Sequence, residues 1–186
     1  MSLSELAFSP APVVVGLDLS LTATGVATSI GTKLVTSTGH KGDTLDQRRA
    51  RLLDMVGRIM NEVTPLADLV VIEAPAFSRT QGAMHDRSGL WWLVVAALHD
   101  SLQNVTEVTP TALKKYITGK GVATKPDMRM AIFKRFGVDV ADDNEADAFA
   151  LRALGLDLLG HPLAPMPAVN RSALEKLPRP TVRGAA

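Results

Sequence analysis

Apolar residues recur along this chain in two periods, and the alternation between them outlines the fold. After Pro12 the run VVVGLDLS is short, apolar and rich in β-branched residues, which predicts a buried strand ending near Asp18. Two further strand-like runs, Gly25 to Ile30 and Lys33 to Ser37, flank a predicted Gly31-Thr32 turn and complete a three-stranded meander. From Thr44 to Val63 the period changes: Leu45, Leu52, Leu53, Val56, Ile59, Met60 and Val63 return at helical spacing between arginines and acids. Pro65 stops that helix, and DLVVIE (Asp68 to Glu73) predicts a fourth strand, ending like the first on a carboxylate. Gly89 to Leu102 is apolar around most of its circumference, which predicts a helix buried by the sheet on one side and by a further partner on the other, for which a second copy of the chain is one candidate. Val105 to Val108 reads as a strand. Thr109-Pro110 caps a helix to about Ile117, Thr124 caps another to Phe136 with Gly137 ending it, and the last helix runs from Asp142 or Asp143 to about Leu159. The order, three strands, helix, strand, helix, strand, helices, predicts an α/β fold with a mixed sheet, antiparallel in its meander and parallel elsewhere, flanked by helices.

Residues 1–12 read as an extension and 13–160 as one domain. The stretch 161–186 holds five prolines, and four of its five charged side chains are basic, which predicts a mobile, solvated arm. Composition supports a packed core: 46% hydrophobic and 21% charged residues in 186 are ordinary globular usage. With no cysteine, disulfides, thiolate metal sites and cysteine nucleophiles are excluded, so any metal must take oxygen or imidazole ligands. No basic segment precedes an apolar stretch at the N-terminus and no apolar run reaches membrane-spanning length, so the expectation is a cytoplasmic protein without a membrane partner, suited to a bacterium or a phage-infected cell.

The net charge of +1 hides a polarised distribution. Thr109 to Arg135 carries seven bases (Lys114, Lys115, Lys120, Lys125, Arg129, Lys134, Arg135) against Asp127, whereas Asp139 to Asp147 carries five acids and no base. A cation-rich block beside a carboxylate cluster suits a metal-dependent nuclease, one part holding phosphates and the other holding cations. Asp18 and Glu73 end two apolar strands, and functional groups of open sheets gather at the carboxyl ends of parallel strands. Asn144 and Asp147, three apart, share one face of the last helix. Two Asp, one Glu and one Asn are suitable ligands for Mg²⁺, and two such ions about 4 Å apart can both activate water and stabilise a leaving oxygen. Taken singly, each acid also fits an ordinary role as a turn former, strand-end charge or solvated helix residue.

At these residues the sequence resembles a family. VVVGLDLSLTATGVA, VVIEAPAF and ADDNEADAFAL resemble the first, second and last motifs of RuvC-type Holliday junction resolvases, in order, within a region from about Val13 to Leu156. The resemblance implies an RNase H-like fold, a homodimer, Mg²⁺ or Mn²⁺ dependence and paired nicks across a four-way DNA junction. It makes Asp18, Glu73 and Asp147 the metal-binding carboxylates. Asn144 departs from the family, which has aspartate or sometimes histidine there, so either its amide oxygen coordinates or Asp143 contributes. Lys114 and Lys125, eleven apart, match two lysines that the family uses near the scissile phosphate. Lys115 and Lys120 are further candidates for DNA contact, with solvated surface lysines as the ordinary alternative. Phe77 and Arg79 lie in the loop whose family counterpart carries an aromatic wedge, here shifted by one residue. Trp91 and Trp92 are expected in core or dimer packing.

Within the nuclease class the substrate can be a Holliday junction or other branched DNA, and an enzyme that prefers flaps, replication forks or RNA-containing duplexes is an alternative; two other classes also compete. GLDLSLTATG also resembles the phosphate-binding hairpin of actin-like and sugar-kinase ATPases, although those need two such domains around a nucleotide. A non-catalytic junction-binding protein that lost a ligand at Asn144 would keep the fold. The nuclease reading requires no nucleotide cofactor.

Overall fold

The computed structural model describes residues 11–63, 65, 67–75, 84–178 and 180. Five strands form one sheet in the order β3-β2-β1-β4-β5. They are β1 (Val14–Asp18), β2 (Ala23–Thr28), β3 (Gly31–Thr36), β4 (Leu69–Glu73) and β5 (Val105–Val108). β1, β2 and β3 pair antiparallel, while β4 runs parallel to β1 and β5 parallel to β4. The meander turns at Ser29 and Ile30, two residues earlier than expected. Thr28 pairs with Gly31, whose φ of +136° suits glycine where the chain re-enters the sheet.

Helices cover both faces. α1 (Leu45–Glu62) and α2 (Met84–Asp100) bury Met55, Ile59, Leu90, Val94 and Leu98 against Val15, Leu17, Val70 and Ile72. On the other face α3 (Pro110–Thr118), α4 (Lys125–Phe136) and α5 (Asp143–Leu158) close over Val14, Leu69 and Val71. Side chains alternate along a strand, so even positions of β1 and odd positions of β4 look toward α5. The helix starts follow their caps: Thr44 and Thr124 each form a reciprocal capping box, and the Thr109 side chain accepts from the Ala112 N–H. α2 begins at Met84, ahead of the expected Gly89; its first turn is polar and carries no apolar period to mark that start in the sequence.

The stretch after Gly160 differs from the solvated arm expected of it. A short helix, α6 (Ala168–Arg171), docks on α3, and Asn170 is buried with its Nδ2 donating to the Tyr116 and Ile117 carbonyls at 2.7 and 3.2 Å. Arg171 pairs with buried Asp157 at 3.0 Å, and the Tyr116 hydroxyl donates to the same carboxylate. A few anchored polar groups thus overcome the proline-rich composition.

Candidate active site

The parallel register of β1 on β4 runs from Val14 beside Leu69 to Leu17 beside Ile72, so the next pair along is Asp18 and Glu73. Alternation turns both toward α5. That helix lies almost on the sheet because two strand glycines let it: a Cβ on Gly16 would sit 2.2 Å from the Ala148 carbonyl oxygen, and one on Gly25 would sit 2.0 Å from that of Asn144. Asp142 caps α5 through its Oδ1, which accepts from the Asn144 N–H at 2.7 Å. Asp147 follows one turn later and reaches the carboxyl end of β1.

The electrostatics record this convergence. Burial first, then repulsion from Asp147 and Asp142, pushes the Asp18 carboxyl up to about 7, against attraction from Lys125. Glu73 is pushed to about 8 by burial and by Asp18 and Asp147, with Lys114 and Lys125 opposing. Asp147 rises to about 6 through burial; Lys125 lowers it, Asp143 raises it and Lys114 lowers it. Three carboxyl groups from β1, β4 and α5 therefore share one field, and Lys114 and Lys125 are the cations that reach it.

Lys125 hydrogen-bonds Asp143 (Nζ to Oδ2, 3.1 Å), which raises the lysine pKa and engages the acid considered as a substitute for Asn144. The structure sets the Asn144 backbone carbonyl against Gly25, in the first turn of α5. Lys115 lies in the last turn of α3, its carbonyl accepting from the Gly119 N–H at 2.8 Å, and Lys120 lines a separate cavity with Lys134 and Arg135; neither is among the cations that act on the three carboxylates. Phe77 and Arg79 lie outside the described residues.

A cavity of about 200 Å³ opens between Asp18 and Glu73 on one side and Met84, Arg87, Ser88 and Trp91 on the other. Asp147 is not part of its lining. Arg87, Ser88 and Trp91 come from α2 and are site neighbours that sequence reasoning missed. Trp91 Nε1 donates to the Glu73 carbonyl at 3.0 Å and packs edge-on against Trp92, so one of the two expected packing residues also fixes a strand end of the site. The loop after Asp18 is tied down as well: Ser20 and Thr24 exchange two hydrogen bonds, and Ser37 Oγ and Arg51 Nη2 both donate to the Leu21 carbonyl. The polar residues in GLDLSLTATG gave a signal for this loop; nothing local marked Arg51 or Arg87.

Among the described residues no three acidic or histidine side chains are already closed around one point. The donors nevertheless fit a hard divalent cation, because buried carboxylates that repel one another gain most from a positive charge among them.

A five-stranded mixed sheet in this order, with helices on both faces, is the RNase H-like fold. Two solved structures share the fold: Thermus thermophilus RuvC (TM-score 0.60, 18% identity, 83% of this chain and 99% of that one) and T. thermophilus RuvC in complex with a Holliday junction substrate (TM-score 0.57, 19% identity, 76% and 90%). No family model matches the chain. Crossover junction endodeoxyribonuclease RuvC of Chlamydia abortus is 33% identical over 114 residues, 59% of this chain and 67% of the relative, and that of Chlamydia felis is 31% identical over 114 residues, 59% and 66%. The chain belongs to the RuvC family of crossover junction endodeoxyribonucleases. That membership sets the ATPase reading aside.

Proposed function

We propose that this nuclease resolves four-way DNA junctions as a homodimer, with Asp18, Glu73, Asp147 and the Asn144 amide oxygen holding two Mg²⁺ ions, for which Mn²⁺ can substitute. The observation that carries this is the single electrostatic cluster formed by Asp18, Glu73 and Asp147, each raised by burial and coupled to the others or to the same two lysines. Bound divalent ions supply Lewis acidity at the scissile phosphate and toward the attacking water. Lys114 and Lys125 contribute fixed positive charge for the non-bridging oxygens as negative charge grows on them. Trp91 and the bonded Ser20–Thr24 loop hold the ends of β4 and β1 in place, so the carboxylates meet the substrate with little reorganisation. Water adds to phosphorus, the P–O bond to the leaving sugar oxygen breaks, and a proton ends on that oxygen.

The relatives are named for crossover junctions, and one solved neighbour holds a Holliday junction substrate, which supports this branched DNA as the partner here. The outer side of α2 exposes Trp92 (64%) and Leu93 (37%), an apolar patch suited to a second copy. The domain reading that goes with this is one nuclease unit from 13 onward, to which the segment after Gly160 is docked through Asn170 and Arg171. Incubating the protein with an end-labelled four-way junction and Mg²⁺ or Mn²⁺ tests the reading. Symmetric nicks are expected, reduced on the order of 100-fold or more in Asp18→Asn and Glu73→Gln. Binding without cleavage in either metal would instead support the non-catalytic reading.

A further inference from the structure

Helix α4 turns Met128 and Ile132 into the core, with Ala131 and Phe136 packed beside them. That stripe meets the helix's packing needs, yet on the opposite side Met130 and Phe133 stand 53% and 54% exposed. At 3.6 residues per turn, Lys125, Arg129 and Phe133 form one row, and Pro126, Met130 and Lys134 form the next. An open concavity of about 690 Å³ runs over Lys125, Arg129, Met130 and Phe133. Beyond Met130 a second, of about 630 Å³, continues over Val122 and Lys134.

The acids near this face are mostly engaged. Asp143 is paired with Lys125, and the Asp127 carboxylate accepts from Thr124 N and Oγ1 at 2.9 and 2.7 Å, which leaves Asp139. Cations alternating with an exposed ring and a thioether suit unstacked nucleotides, with phosphates on the charges and a base on the ring. The row also begins at Lys125, whose charge reaches Asp18 and Asp147, so a strand lying along α4 would leave the active site directly.

We propose that the outer face of α4 binds a few unpaired nucleotides of the DNA strand next to the scissile phosphate, with a base stacked on Phe133 and phosphates on Arg129 and Lys134. This rests on the nuclease reading and extends it to a strand-guiding site.

The test uses the full chain in the Asp18→Asn background, which keeps the DNA intact, and measures affinity for a four-way junction, an oligothymidylate and a blunt duplex. Phe133→Ala is expected to weaken the junction and the oligothymidylate about 5- to 50-fold and the duplex less than about 2-fold, with Phe133→Trp restoring affinity. Oligothymidylate affinity unchanged by Phe133→Ala, or an equal loss on duplex, overturns the proposal. If the unmutated protein cleaves junctions while Phe133→Ala binds normally, this site alone fails. If the unmutated protein neither binds nor cleaves them, the nuclease reading fails with it.

Discussion

Asp18, Glu73 and Asp147 hold their protons well above the pH near 4 at which an unfolded chain releases them. Between about pH 4 and pH 8 the folded protein therefore binds more protons than the unfolded one. By linkage its metal-free stability falls as pH rises through that window. Asp18→Asn removes one of these charges and should stabilise the metal-free protein at pH 8 by roughly 1–3 kcal/mol, with the gain shrinking toward pH 4. Thermal unfolding in a chelator checks this, and identical midpoints at pH 8 would contradict it. Lys125 tests differently: if its charge serves the reacting phosphate as proposed, Lys125→Ala should lower the cleavage rate about 10- to 100-fold while changing junction affinity only a few-fold. An unchanged single-turnover rate would refute that role. The places of the three acids in the fold were legible from sequence, because Asp18 and Glu73 end strands and Asp147 lies one turn into a helix. Arg87, Ser88 and Trp91 could not, since their place beside Glu73 comes from how α2 packs across the sheet.

The approach of α5 to the sheet is set by β1 and β2, and their spacing depends on missing side chains. Gly25→Ala would press a methyl group into the Asn144 carbonyl and force the start of α5 off the sheet. The expected loss is about 2–4 kcal/mol in denaturant unfolding, with cleavage falling as Asp147 withdraws. Gly57, in α1, has nothing within 4 Å of its would-be Cβ. Gly57→Ala should therefore stabilise by about 0.5–1 kcal/mol with activity intact. Equal effects at the two glycines would show that α5 is not held by close approach. Sequence periodicity located α5, but the close packing needed the register that puts Gly16 and Gly25 beneath it. The same limit applies to α2, whose polar first turn gave no periodic signal.

At the scale of the whole molecule, basic and acidic blocks adjacent in sequence become adjacent in space, which predicts junction binding that weakens steeply with salt. A filter-binding titration from 50 to 200 mM salt should show at least a 10-fold loss, and a flat response would argue against phosphate contact. Light scattering should give about twice the 19.8 kDa chain mass, and Trp92→Glu should halve it. A monomeric unmutated protein would remove the basis for paired nicks. The architecture was legible from the order of periods, since strands and helices alternate in a way few topologies allow. The docking of the segment after Gly160 was not, because one buried asparagine and one ion pair leave no periodic trace among prolines.

Titration of the full chain with Mn²⁺, followed by electron paramagnetic resonance of the free ion, reads out whether Asp18, Glu73 and Asp147 hold a divalent cation jointly. The unmutated protein should remove Mn²⁺ from solution, while Asp18→Asn, Glu73→Gln and Asp147→Asn should each weaken uptake at least about 10-fold. Undiminished Mn²⁺ uptake by the triple variant would contradict the account.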